Sequence, residues 1–306
     1  MTTRLSRLRG VLSPVVTPFT DDLEPDPRRF VDHCRWLLDA GVGLAVFGTN
    51  SEGNSLSVAE RRKLLDALLD AGIDPARLMP GTGCCAFPDT VELTAHAVGA
   101  GCAGVLMLPP FYYKNQSDDG LFRSYSEVIQ RVGDERLRVY LYHIPPVAQV
   151  PLSLTLIERL IRDYPGAIAG IKDSSGDPGN TQALLQRFQS DAFDVFCGSE
   201  VFLLQTLRGG GAGCITATGN VNPSAIVELY RTWRDAGAEE KQAELTATRR
   251  VFEMMPMIAS MKAAIAWKRN DGQWRNVRPP LTNAPDDKVA LLREALTVRG
   301  FDMPGI

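Results

Sequence analysis

The apolar run Ala169-Gly170-Ile171 stops at Lys172 and gives way to Asp173-Ser174-Ser175. Desolvation penalises an ammonium on a buried strand, which favours the free amine, and a free amine attacks a carbonyl carbon to form an imine. Taken alone, Lys172 reads first as a lysine that snorkels into water from a strand end. Other apolar runs end in residues that bear on the choice. They end at Thr17-Pro18-Phe19, at Phe47-Gly48-Thr49-Asn50-Ser51-Glu52-Gly53, at Pro109-Pro110-Phe111-Tyr112-Tyr113, and at Tyr140-Leu141-Tyr142-His143-Ile144-Pro145. A lysine, several phenols and a cluster of hydroxyl and amide side chains thus terminate successive runs. If one fold gathers those termini, they equip a rim for proton transfer around a carbonyl group.

The elements that must position them follow from periodicity. Apolar runs predict strands near 13–18, 43–48, 78–82, 104–108, 138–143, 168–172, 194–198 and 213–217. Between them lie stretches of helical period, such as Phe30, Cys34, Leu37 and Leu38, or Leu121, Tyr125, Val128 and Ile129. Ser57-Val-Ala-Glu60 has the form of a capping box, and Asp89-Thr-Val-Glu92 after Pro88 has a similar form. Eight strands alternating with helices predict an α/β fold, the (β/α)8 TIM barrel, because parallel strands need crossover helices and an eightfold repeat can close on itself. The competing doubly wound sheet is weakened by the absence of a GxGxxG turn after the first strand. Beyond Ala225 no strand pattern recurs, and Ile226–Trp233, Gln242–Met255 and Met261–Trp267 read as helices. The expected division is a catalytic barrel over 1–224 and a C-terminal helical region over 225–306. In such a barrel the catalytic groups project from the C-terminal ends of the strands, where the polar termini above fall.

The chain has 306 residues, 44% hydrophobic and 23% charged, with a formal net charge of −3, an ordinary globular composition able to bury a large core. Neither nucleic acid nor membrane is an expected partner, since no basic run and no apolar stretch of about 20 residues occurs. The basic start leads into no signal-like apolar run, so a cytoplasmic location is expected. Cysteines 34, 84, 85, 102, 197 and 214 lack CxxC spacing and read as buried thiols, while histidines 33, 96 and 143 are too dispersed for a metal triad. The Gly209-Gly-Gly211 run precedes a strand and reads as a tight loop, and Met254, Met255 and Met257 read as helix core.

Taken in order, Val16-Thr17-Pro18-Phe19, Gly48-Thr49-x-x-Glu52, Pro110-Phe111-Tyr112-Tyr113, Tyr142-x-Ile144-Pro145, Gly170-Ile171-Lys172-Asp173 and Gly213-x-Ile215 form a specific set. With it the chain resembles the dihydrodipicolinate synthase / N-acetylneuraminate lyase family of class I aldolases over nearly its full length. The resemblance implies that Lys172 forms a Schiff base with a 2-oxo acid, usually pyruvate. An iminium is an electron sink, so a proton or carbon fragment leaves the neighbouring carbon without any metal or organic cofactor. The resemblance further implies that Tyr142 shuttles protons beside the lysine, in a relay with Thr49 and with Tyr113 reaching across a subunit contact. Gly48, Thr49 and Asn50 would bind the substrate carboxylate, and Ile215 would line the substrate site. Tyr112 reads as structural. A homotetramer of paired dimers is the implied assembly.

Departures from the family pattern bear on the substrate. Asn50-Ser51 stands where most members have a hydroxyl residue and glycine, and an amide still donates to a carboxylate. Val147 stands where the dihydrodipicolinate-forming enzymes carry an arginine, and valine offers no charge-assisted contact worth about 1.5–3 kcal/mol. Glu52 reads as a structural acceptor. Strand alternation should aim His143 away from the lysine as a packed, hydrogen-bonded histidine. Ser199 and Glu200 resemble the segment that contacts substrate hydroxyls in sugar-acid lyases, although Glu200 equally suits a helix start. Ala217 stands near a position where sialic-acid lyases have serine. The expected activity is a Schiff-base lyase or aldolase on a 4-hydroxy-2-oxo acid or 2-keto-3-deoxy sugar acid, yielding a small 2-oxo acid and an aldehyde. The alternatives are dihydrodipicolinate synthesis, dehydration of a keto-deoxy acid, or oxo-acid binding without turnover.

Overall fold

The computed structural model of the chain describes residues 7–188, 190 and 192–306. In chain order the strands are β1 (Gly10–Ser13), β2 (Gly43–Leu44), β3 (Val105–Met107), β4 (Val139–His143), β5 (Ile168–Asp173), β6 (Asp194–Cys197) and β7 (Gly213–Ile215). The helices are α1 (Pro27–Asp39), α2 (Val58–Asp70), α3 (Phe87–Gly99), α4 (Asp118–Val132), α5 (Pro145–Ala148), α6 (Leu154–Asp163), α7 (Pro178–Phe188), α8 (Leu203–Arg208), α9 (Pro223–Thr232), α10 (Ala238–Phe252), α11 (Met257–Arg269) and α12 (Asp286–Val298). This succession is that of the (β/α)8 class followed by a C-terminal helical part. Backbone contacts group it into two compact units, residues through Gly10 with Asp74–Ile215, and Val11–Ile73 with Thr216–Ile306.

In the first unit β3, β4, β5, β6 and β7 lie side by side, all parallel. Residues 78–82, expected as a strand, instead make one parallel bridge between Gly81 and Leu106. Leu106 N–H donates to the Pro80 carbonyl at 2.9 Å and Thr82 N–H to the Leu106 carbonyl at 3.1 Å. Pro80 has no N–H to extend the ladder. Gly83 then passes so close that a Cβ on it would lie 2.4 Å from the Leu108 backbone. The segment keeps the place of a strand, but its ladder is two bonds long.

The strands of this unit are buried along their whole length, as parallel strands covered on both faces must be. Register fixes which side chains share a face. Tyr140 pairs with Gly170 and Gly170 with Asp194, while Tyr142 pairs with Lys172 and Lys172 with Phe196. With side chains alternating along each strand, these residues form two layers on one face, and Leu141, Ile171 and Val195 point the other way. The lower layer holds the Tyr140 ring, for which the glycines make room. A Cβ on Gly104 or on Gly170 would lie 2.7 Å from it. Arg7 and Arg9 close that layer on Asp194 at 3.3 and 2.8 Å.

The second unit pairs β1 with β2 in parallel, Leu12 opposite Gly43 and Ser13 opposite Leu44. Asn220 is fully buried and ties this region to the chain after β7. Its Oδ1 accepts from Val16 N–H at 2.9 Å, and its Nδ2 donates to the carbonyls of Pro14 and Ala217 at 3.1 and 2.9 Å. Helix α2 starts with the expected capping box, Ser57 Oγ accepting from Glu60 N–H at 3.2 Å and Glu60 Oε2 accepting from Ser57 N–H at 2.7 Å. The corresponding box at Asp89 does not form. In the first unit α3 already begins at Phe87, because Pro88 is preset for a first helical turn. The hydroxyl of Thr90 accepts instead from Cys84 N–H at 3.0 Å.

Helices α9, α10 and α11 occupy the expected C-terminal stretches, and α12 was not anticipated although Val289, Leu292 and Leu296 form its buried stripe. Met254 is not helix core. It is 55% exposed in the turn after α10, where the apolar stripe has ended, and Met255 and Met257 are half-buried. Cys34, Cys102, Cys197 and Cys214 are buried, but Cys85 is exposed and Cys84 half-buried, since they lie in the loop before α3. Among the described residues no helix is long and apolar enough to cross a membrane, and no group of three or more potential ligands could hold a metal ion.

Candidate active site

The upper layer of the first unit holds Lys172 and Tyr142. Lys172 is 2% exposed and Tyr142 is 3% exposed, and their strand positions are direct partners across β4 and β5. The Lys172 Nζ lies 4.3 Å from the centroid of the Tyr142 ring. This contact sets the phenol ring directly beside the amine. Phe196 on β6 is the other strand partner of Lys172 and is fully buried, so the lysine stem is enclosed on both sides.

The residue after the lysine stiffens its surroundings. Asp173 is buried, its Oδ2 accepting from Thr181 Oγ1 at 2.6 Å and its Oδ1 from Ser175 N–H at 3.0 Å. Its carbonyl accepts from Gly198 N–H at 2.6 Å. A Cβ on Gly198 would lie 2.8 Å from Ser174 Cβ and 2.9 Å from the Asp173 carbonyl oxygen, so a side chain there would force the segment to shift. His143, on the opposite side of β4 from Tyr142, is strand partner to Asp173 and accepts from Leu152 N–H on Nδ1 at 3.1 Å. Burial pushes its pKa down, with Asp173 opposing. It is the packed, hydrogen-bonded histidine that alternation along the strand predicts.

The remaining residues singled out in this unit are placed as follows. Ser199 Oγ accepts from Val201 N–H at 3.3 Å, capping the 3-10 turn that Glu200 begins, and Glu200 is buried. Ile215 is fully buried at the end of β7. Tyr112 and Tyr113 are exposed, with their rings edge to face at 5.3 Å. Val147, on α5, is 62% exposed. Lys114 Nζ donates to the Ala148 carbonyl at 2.9 Å, tying the tyrosine loop to the end of that helix.

In the second unit Gly48, Thr49 and Asn50 form a tight turn, with Thr49 and Asn50 half-buried. Ser51 and Gly53 N–H both donate to the Gly48 carbonyl, at 3.1 and 3.0 Å, and Glu52 N–H donates to the Thr49 carbonyl at 3.1 Å. Phe47 and Glu52 flank the turn at positive φ, 63° and 55°. Gly53 packs so tightly that a Cβ would lie 2.1 Å from the Phe47 carbonyl oxygen. Thr17 Oγ1 donates to the Ser51 carbonyl at 2.6 Å. Glu52 is the structural acceptor expected of it. Its Oε2 accepts from Arg278 N–H at 3.0 Å, and its Oε1 accepts from Lys262 Nζ. Lys262 escaped the sequence reading. Its signal was a single lysine with only apolar residues three and four places away on its helix, Ile258, Ala259, Ile265 and Ala266.

The model of the dihydrodipicolinate synthetase family matches residues 7–298. The chain belongs to this family. An uncharacterised DapA-like lyase of Chloroflexus aurantiacus is 33% identical over 290 residues, 94% of this chain and 95% of that protein. The solved dihydrodipicolinate synthase of Agrobacterium tumefaciens superposes with a TM-score of 0.88 at 29% identity, covering 95% of this chain and 99% of that one. YagE of Escherichia coli K12, a prophage protein of the dihydrodipicolinic acid synthase family solved in complex with pyruvate, also gives 0.88, at 28% identity over 96% and 99% of the two chains. The chain's relatives are enzymes named as lyases and synthases, and the (β/α)8 fold of this chain is theirs.

Proposed function

We propose that the chain is a Schiff-base class I lyase that cleaves a 4-hydroxy-2-oxo acid or 2-keto-3-deoxy sugar acid into pyruvate, or a close 2-oxo acid, and an aldehyde, or joins them in reverse. The observation that carries this is the Lys172 amine, buried on β5 and facing the Tyr142 ring at 4.3 Å. In this reading Lys172 attacks the keto carbon, water leaves, and the resulting iminium accepts the electron pair of the breaking carbon–carbon bond. Tyr142 moves the protons. Gly48, Thr49 and Asn50 hold the carboxylate, Tyr113 joins the relay with Thr49 from a second subunit, and Ile215, Ser199, Glu200 and Val147 shape the remainder of the site. The exposure of Tyr113 in the single chain supports a role at a subunit contact. The catalytic part is assigned to 1–224 and the helical region to 225–306, in a cytoplasmic homotetramer.

The naming of the Agrobacterium relative supports a second reading, dihydrodipicolinate synthesis, and Val147 opposes it because that position offers no cation for a second carboxylate. Borohydride reduction in the presence of pyruvate tests the shared step. A stable adduct on Lys172 is expected, and an unlabelled wild type beside a labelled control aldolase would end the assignment. Release of equimolar pyruvate and aldehyde from a keto-deoxy acid then separates cleavage from synthesis and from dehydration.

A further inference from the structure

The turn at Gly48-Thr49-Asn50 is held in a costly shape. Two non-glycine residues flank it in the left-handed region, Phe47 and Glu52, and such backbone persists only where its surroundings over-determine it. For Glu52 the surroundings come from far along the sequence. Its carboxylate is fully buried and receives Arg278 N–H on one oxygen and Lys262 Nζ on the other. Lys262 comes from α11 and is itself fully buried. Its other directions are also filled. Nζ donates to the Asn276 carbonyl at 2.7 Å and lies 4.6 Å from the centroid of the Phe19 ring. An ammonium has three donors, and these three partners use them.

A buried ion pair of this kind adds little stability over an apolar pair of the same volume, but it fixes geometry, and removing one partner strands the other charge. Here the geometry fixed is the left-handed Glu52 backbone, whose N–H closes the turn on the Thr49 carbonyl. We propose that Lys262, acting through Glu52, is a positioning residue for the Gly48-Thr49-Asn50 turn, and that it sets the enzyme's selectivity for substrates bearing a carboxylate. This rests on the assignment of that turn to the substrate carboxylate. It gives the C-terminal helical part of the chain a role in substrate selection, exerted through Glu52.

The test compares pyruvate with its methyl ester, which keeps the keto group and lacks the charge. Borohydride labelling of Lys172, read as protein mass against ligand concentration, gives half-saturation for each. In wild type, pyruvate should half-saturate at the lower concentration. Lys262→Met should raise the half-saturating pyruvate concentration about tenfold to a hundredfold, the scale of an ångström-level misplacement, and leave the ester little changed. If circular dichroism shows that Lys262→Met has not folded, Glu52→Gln takes its place, with the same selective loss expected at smaller size. A folded variant that keeps the wild-type preference for pyruvate, or that loses both ligands equally, overturns the proposal while leaving the lyase assignment intact. A wild type that labels with both ligands equally overturns the carboxylate assignment and this proposal together, and an unlabelled wild type overturns the Schiff-base reading itself.

Discussion

Acidification should destabilise the second unit through His33. This residue lies on α1, fully buried, with its ring centroid 5.4 Å from that of Trp36 and 5.2 Å from that of Trp274. Burial pushes its pKa down from 6.5 to about 3, the Arg269 charge adds to the shift, and the Asn220 amide opposes it. The unfolded chain therefore binds a proton near its ordinary pKa, and the folded chain binds it only several pH units lower. Between those values the unfolded state holds more protons, so stability is complete above about pH 6.5 and falls as the pH drops toward about 3. At about 1.4 kcal/mol per pH unit the full span is worth about 5 kcal/mol, of which about 2 kcal/mol is lost between about pH 7.5 and about pH 5. Urea unfolding followed by tryptophan fluorescence at those two pH values, on wild type and on His33→Leu, measures it. The variant sets its own stability at the higher pH, so the decisive quantity is the loss on acidification. His143, also depressed by burial, contributes equally to both proteins and cancels. Wild type should lose about 2 kcal/mol more than the variant. Equal losses would refute the reasoning, because the proton that unfolding takes up would then not be on His33.

Other substitutions probe the site and its frame. Tyr142→Phe removes the hydroxyl proposed to carry protons while keeping the ring beside the amine, so kcat should fall about 10²–10⁴-fold with Lys172 still trapped by borohydride, only more slowly. Asn220→Ala strands Val16 N–H and the Pro14 and Ala217 carbonyls in a buried region, and chemical denaturation should register a loss of at least about 1–3 kcal/mol. Gly198→Ala drives a methyl into Ser174, so stability should fall by about 1–3 kcal/mol and turnover should fall with it, since the displaced segment is continuous with Lys172. The wild-type gene should not rescue a diaminopimelate auxotroph, and growth of the complemented strain would return dihydrodipicolinate synthesis to the front.

The placing of Tyr142 beside Lys172 came from the family resemblance, while the residues alone showed only that both end apolar runs. In the structure the register of β4 on β5 makes the two strand partners. The capping box at Ser57 was legible because it closes within four residues. What escaped depended on what lies opposite. Pro80 and Gly83 reduce an apolar run to a single bridge only because the β3 backbone is there to meet them. Asp89 lost its capping role to a helix that starts two residues earlier at Phe87. Lys262 meets Glu52 across 210 residues of sequence, and nothing near either one announces the other. An isolated lysine in an apolar helix and a glutamate after a glycine-threonine turn each have an innocent local reading. Only the fold makes them a pair.

Among the described residues two lysines are buried, and the contrast between them decides which one can react. An amine must lose its proton and turn a lone pair toward the carbonyl carbon before an imine forms. On Lys262 the three donors meet a carboxylate, a backbone carbonyl and an aromatic face, so deprotonation would leave Glu52 as an uncompensated buried charge. Burial pulls the Lys262 pKa below its ordinary value and Glu52 pulls it back, which leaves an ammonium held by its partner. Lys172 Nζ instead lies over the face of the Tyr142 ring, an aromatic partner and not a carboxylate. Borohydride trapping with pyruvate followed by peptide mapping should therefore place the whole adduct on the peptide containing Lys172 and none on that containing Lys262. Label divided between the two peptides would mean that partner saturation does not govern reactivity here, and the distinction between a nucleophile and a clamp would fall.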